Sequence, residues 1–261
     1  MTTDLFVALL AGVLGLAVGS FLNVVVWRVP RGESVVSPPS ACPACSTQIR
    51  SRDNVPVLSW VLLGRRCRDC REPISARYPL VEAGTAVAFA VVAFTVGPAW
   101  TLPAYLYGVA IAIALTLIDI ETQRLPNVIV VGSYPVVAAL LALAAWGNGD
   151  WSSLLRAAVG AAVLFAFYLL LVIVYPPGMG LGDVKLAAIL GAYLASVGWG
   201  TLVVGGFAGF LLGGVFSIAL LGARSAGRKT AIPFGPWMLL GAVVGMVVGE
   251  RVWDAYLSTF T

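Results

Sequence analysis

Eight apolar segments occupy most of this chain: residues 5–27, 79–97, 101–118, 127–146, 154–175, 184–198, 201–222 and 235–253. A hydrocarbon core needs about 20 consecutive apolar residues in a helix, because a helix satisfies its own backbone polar groups without water. The pattern predicts an all-α polytopic membrane protein with about eight transmembrane helices. The 184–198 segment is the shortest and the least certain to cross. Turn-forming residues separate the segments at Gly97-Pro98, Pro126-Asn127, Gly147 to Asp150, Pro176-Pro177-Gly178, the basic Arg224–Lys229 stretch and Pro233. The first segment does not read as a cleaved signal peptide, since it lacks a basic n-region and outruns a typical h-region. Composition agrees: 11% of residues are charged, against about 25% in soluble domains. A soluble enzyme, a secreted disulfide scaffold and a disordered chain are excluded. No clear internal repeat is evident.

Residues 28–78 differ in kind. They hold all four cysteines, six prolines and nine of the 16 basic residues, with four acids. Their apolar run, Val55 to Leu63, is too short to span and reads as a core or membrane-surface segment. The chain thus divides into a first transmembrane helix (1–27), a Cys-rich polar module (28–78) and a membrane-embedded domain (79–261). A basic cluster can mark a nucleic-acid face, but the positive-inside rule explains this one more simply, so no nucleic-acid partner is expected. With the module, the 119–126 and 176–183 turns, Lys185 and the 223–232 loop on one side, 14 of the 16 basic residues share that side. The rule makes it the cytoplasmic one. There is no histidine, so His-based triads, metal sites and proton shuttles are excluded.

The cysteines form two CxxC pairs, Cys42/Cys45 and Cys67/Cys70. That double spacing suits a tetrahedral four-thiolate zinc site, closed and structural because no coordination position stays open. A module this small would draw folding energy from the metal. Two disulfides or a redox pair are the alternatives; a cytoplasmic location argues against stable disulfides.

Two acids stand apart. Asp119 ends one apolar segment and Asp183 begins another, and both reach the same membrane face in this topology. Acids in membrane segments are costly and usually functional. Two carboxylates that meet share one proton, so one acts as base toward a water and the other as acid toward a substrate carbonyl. The bland reading makes Asp183 a helix cap and Asp119 a helix end. An ion-coupled transporter using both acids as a proton or cation site is the alternative function; a non-enzymatic scaffold would leave the acids idle. Proteolysis requires the two carboxyls to approach within about 4–7 Å, or to be able to close to that distance. Lys185 is expected to snorkel to the interface, Asn23 to hydrogen-bond between helices, and Glu121 to be a spectator. The glycines of 205–214 read as close helix packing.

Gly180-Leu181-Gly182-Asp183 matches the GxGD motif of membrane aspartyl proteases. The longer Gly178–Leu186 string resembles that of the bacterial prepilin peptidases, the type IV leader peptidases. Gly19–Val25, the two CxxC pairs, Asp53–Trp60, Ile74–Glu82, Ile118-Asp119 with Leu125-Pro126-Asn127, and Ile232–Pro236 resemble further motifs of that family, in order along nearly the whole chain. The resemblance implies that Asp119 and Asp183 are the catalytic pair, that Gly180 and Gly182 shape the turn presenting Asp183, and that Cys42, Cys45, Cys67 and Cys70 organise the module. It implies cleavage of prepilin and pseudopilin leaders at the cytoplasmic face of the bacterial inner membrane, after a Gly and usually before a Phe. It further implies N-methylation of the new terminus with S-adenosylmethionine, since family members with the full N-terminal module are usually bifunctional. No Rossmann-type glycine loop is present. Residues 23–82 are the candidate region for methyl transfer, with Glu82 and the arginines as candidates for a part in it. For most of the arginines, topology and anionic lipid are the simpler account.

Overall fold

The computed structural model describes residues 2–222 and 233–260. The Arg224–Lys229 stretch and Ile232 of the 232–236 motif lie outside the described residues. Nine α-helices occur among those residues: α1 (Thr2–Arg28), α2 (Leu58–Leu62), α3 (Arg77–Val96), α4 (Leu102–Thr122), α5 (Asn127–Asn148), α6 (Trp151–Val174), α7 (Leu181–Val197), α8 (Trp199–Gly222) and α9 (Gly235–Leu257). Extended pairing among them is limited to two isolated bridges. Eight of the helices are long, as the eight apolar segments require.

Six helices, α1, α3, α4, α5, α6 and α8, are long and apolar enough to cross a membrane. The weakest expected span, α7, has 17 residues. Its residues from Val184 to Ala195 are mostly buried, and α5, α6, α8 and α9 pack around it. A short helix sheltered in this way needs less lipid-facing length than an exposed one. The sixfold set also omits α9, which carries Glu250, Arg251 and Asp254 near its end. Glu250 is not idle there. Its Oε1 accepts from the Thr201 N–H at 2.9 Å and the Thr201 hydroxyl at 3.0 Å, capping the first turn of α8.

The chain forms two compact units, one ending at Ala114 and the other beginning at Leu115. In the first, α1 packs on α3 so closely that a Cβ on Gly19 would stand 2.7 Å from the Glu82 Cα. Small residues let helix backbones meet in this way in lipid, where van der Waals packing replaces the hydrophobic drive. Ala8, Ala11, Phe89 and Ala93 form the buried seam, with Leu102 and Leu106 of α4 against it. In the second unit α6 pairs with α7, and α8 with α9. Gly245 meets Gly205, where a Cβ would lie 2.6 Å from the Gly205 Cα; the 205–214 glycines do serve close packing. The expected break at 147–150 also holds. Gly149 closes α5 with a left-handed φ of 67°, and the Asp150 carboxylate accepts from the Ser153 N–H at 3.1 Å to start α6.

Candidate active site and cysteine centre

Asp119 lies one turn before the end of α4 and is buried, with 5% of its surface exposed. Its Oδ2 accepts from the backbone N–H of Gly235, the first residue of α9, at 3.1 Å. The unpaired N–H groups at a helix start are natural partners for an anion. Asp183 sits in the first turn of α7, and its Oδ2 turns back to accept from the Gly180 N–H at 3.1 Å. The capping reading of Asp183 is therefore correct as far as one oxygen goes. Leu125 packs against two glycines: a Cβ on Gly182 would lie 3.0 Å from the Leu125 Cβ, and one on Gly235 would lie 3.4 Å from its Cδ2. Gly182 is next to Asp183 and Gly235 bonds Asp119, so Leu125 touches the glycine beside each acid. Each thus has one oxygen fixed by a glycine N–H, and both belong to one compact unit.

Three surrounding residues carry little signal in the sequence. Tyr168 on α6, 2% exposed, packs with Phe210 and Phe234 at centroid distances of 5.3 and 6.5 Å. Lys185 does more than snorkel. Its Nζ donates to the Asn127 Oδ1 at 2.8 Å, and the Tyr134 hydroxyl donates to the Lys185 carbonyl at 2.9 Å. Those bonds tie the start of α7 to α5. A tyrosine in an otherwise apolar span was the available clue to Tyr168 and Tyr134; Lys185 and Asn127 were each singled out in the sequence, but their pairing across 58 positions was not.

The four cysteines converge. Their sulfurs all lie within 4.8 Å of one another, and Cys42 Sγ is 3.7 Å from Cys70 Sγ. Four thiolates about 2.3 Å from one zinc ion would stand about 3.8 Å apart, so the donor set fits a tetrahedral ion. The Thr47 hydroxyl and N–H push the Cys45 thiol down to about 6. Cys70 rises to about 12 despite a Glu72 backbone hydrogen bond, because burial and the neighbouring sulfurs oppose a further negative charge. Packed thiols of this kind ionise together only with a cation among them.

A repeat is present after all, in the backbone. The Cys42 N–H bonds the Thr47 carbonyl and the Ser46 N–H bonds Cys42; the Cys67 N–H bonds Glu72 and the Arg71 N–H bonds Cys67. Ser46 and Arg71 share left-handed φ values of 58° and 64°. The bridges Ala41–Gln48 and Arg66–Pro73 complete two matching loops, each position of the second 25 residues after its counterpart. Sequence comparison misses it because the paired positions, apart from the cysteines, differ in residue type.

Around this centre, Asp53 takes a two-pronged bond from Arg68 at 2.6 and 2.7 Å. That guanidinium holds the Asp53 carboxyl below its ordinary range. Glu82 on α3 is buried and accepts from the Val57 N–H at 2.7 Å. Asn23 donates to the Tyr78 carbonyl at 3.2 Å, a link from α1 to α3 as expected of a lone amide in a span.

The helices and their apolar surfaces define the chain as a polytopic helical membrane protein. Within that class it belongs to the type IV leader peptidase family. Residues 13–96 match the Bacterial Peptidase A24 N-terminal domain, and residues 106–218 match the Type IV leader peptidase family. The chain is similar to the prepilin leader peptidase/N-methyltransferase of Aeromonas hydrophila, 35% identical over 94% of this chain and 92% of that one. It is 34% identical to the Pseudomonas aeruginosa protein of the same name, over 94% of this chain and 91% of the relative. For the Neisseria gonorrhoeae protein, also so named, the figures are 37%, 96% and 93%. No solved structure matches.

Proposed function

We infer that this protein cleaves the leader of type IV prepilins and pseudopilins and methylates the new N-terminal amine. Family membership and near-full-length similarity to bifunctional relatives support both activities. For proteolysis, the carrying observation is two acids in one compact unit, each with its Oδ2 held by a glycine N–H and Leu125 against the glycine beside each. In this reading Asp119 and Asp183 share one proton. The ionised carboxylate takes a proton from water, which attacks the scissile carbonyl; the protonated one stabilises the developing oxyanion and hands its proton toward the leaving amine. Gly180 and Gly182 shape the turn that presents Asp183, with Leu125 against Gly182 leaving no room for a side chain. Nothing supports the transporter alternative: the two acids sit at helix ends, whereas transport sites favour the middle of the membrane.

Charge asymmetry supports a bacterial inner-membrane protein with its Cys-rich module and acids facing the cytoplasm, where a prepilin carries its basic leader. Cys42, Cys45, Cys67 and Cys70 hold a structural zinc ion that closes the 28–78 module. That module and the adjoining helix ends, residues 23–82, serve methyl transfer, and residues 79–261 form the peptidase domain. The methyl group comes from S-adenosylmethionine. Glu82 supports the module by holding the Val57 backbone.

The test is cleavage of a prepilin-like substrate in detergent. Asp119→Asn and Asp183→Asn keep side-chain shape and remove the titratable proton. Each is expected to reduce cleavage at least about 10³-fold with helical content unchanged; full activity in either would refute the pair.

A further inference from the structure

Helix α2 is too short to span and lies outside the six candidate spans. It nevertheless exposes a cluster of large apolar side chains. Leu58, Val61 and Leu62, at positions i, i+3 and i+4, share one face and are 54%, 59% and 76% exposed; Val55 just before them is 45% exposed. The other face is used. Ser59 is buried and bonds Arg52 and Val55, and the Trp60 indole donates to the Ile74 carbonyl at 3.0 Å. The helix therefore has one side seated on its module and one apolar side uncovered within the chain.

A bond also ties its start to α3. The Val57 N–H reaches the Glu82 carboxylate at 2.7 Å. Glu82 lies five residues inside α3, which begins at Arg77, so about 8 Å along the axis from the helix start at about 1.5 Å per residue. On α1 the same level is marked by Gly19, against which the Glu82 backbone packs. Both helices are candidate spans. The start of α2 is thus bonded about 8 Å inside the end of α3, a candidate span packed on α1. Holding it there strains the chain: Val57, a β-branched residue, has φ 59° and ψ −50°.

Charge fits that location. Arg50 and Arg52 precede the apolar face and Arg65 and Arg66 follow it, all exposed, with Arg65 stacked over the Trp60 ring at 4.9 Å. Residues 28–78 carry nine basic and four acidic side chains. Exposed apolar residues beside the end of a candidate span, flanked by arginines, are the pattern of an interfacial membrane anchor.

We propose that Val55 to Leu62 is an interfacial foot that docks the cysteine module onto an anionic lipid leaflet, with Leu58, Val61 and Leu62 inserted among acyl chains and the flanking arginines on lipid phosphates. The proposal stands independently of the catalytic reading. It is tested on the full chain in lipid nanodiscs with a photoreactive benzoylphenylalanine in place of Leu62, and in a second protein in place of Val36, which is 86% exposed in the polar loop. Irradiation should give lipid adducts several-fold more often from position 62 than from position 36. The yield at 62 should rise when phosphatidylglycerol is added to phosphatidylcholine. Equal yields at the two positions, adducts mainly to a prepilin substrate or a second chain, or no response to phosphatidylglycerol would each overturn it.

Discussion

Gly235 leaves no space for a side chain beside Asp119. A Cβ there would stand 2.8 Å from the Asp119 Oδ2, well inside contact distance. Gly235→Ala is therefore expected to push the carboxylate out of line and lower prepilin cleavage about 10²-fold, since small misplacements of a catalytic group cost that much. Protein yield and helical content should change little, and a steady-state cleavage assay measures the loss. Asp119 itself was identifiable as an acid out of place in an apolar segment. Its bond to Gly235 was not: Gly235 falls in the 232–236 motif, but it lies 116 residues away and contributes only a backbone N–H. The Asp53–Arg68 pair has its own signature. Asp53 titrates below its ordinary value because Arg68 bonds it. Its contribution is complete above the ordinary carboxylate value of about 3.9 and is lost as pH falls through the lower folded value. Hydrogen exchange of the module should thus accelerate in acid, and Asp53→Asn, already lacking the charge, should show a smaller acid-induced change.

Among the elements, helix positions followed from hydropathy because the bilayer imposes one length and one backbone solution. Packing partners did not, since an apolar face reads alike whether it meets lipid or another helix. The glycine seam of α8 and α9 decides that question locally. Gly245→Val would drive two methyl groups into the Gly205 backbone, where even a Cβ comes to 2.6 Å of the Cα. Overpacking of this kind costs about 1–3 kcal/mol. It should lower the midpoint of thermal unfolding in detergent, whereas valine at Gly214, where nothing lies within 4 Å of the Cβ position, should not.

For the whole molecule, the division into two units separates the sites: the four cysteines fall in the first and both aspartates in the second. Cys67→Ser is expected to abolish stoichiometric zinc and depress methylation at least about tenfold, while cleavage keeps most of its rate. The aspartate variants should do the reverse, methylating a pilin that has already lost its leader. Mass spectrometry of the processed N-terminus scores both activities in one sample. The two CxxC pairs announced the clustering of the four cysteines in advance, because thiolate spacing is set by one tight turn; the matching of their loops needed the backbone.

That matching has a consequence for how metal is gained and lost. For an ion held by all four cysteines, each loop offers two of the four thiolates, and neither pair closes the site without the other. Occupancy and closure of the module are then a single cooperative event. A population short of zinc would be a mixture of fully assembled and fully open modules, and scarcity would change how many molecules work while leaving each working molecule unaltered.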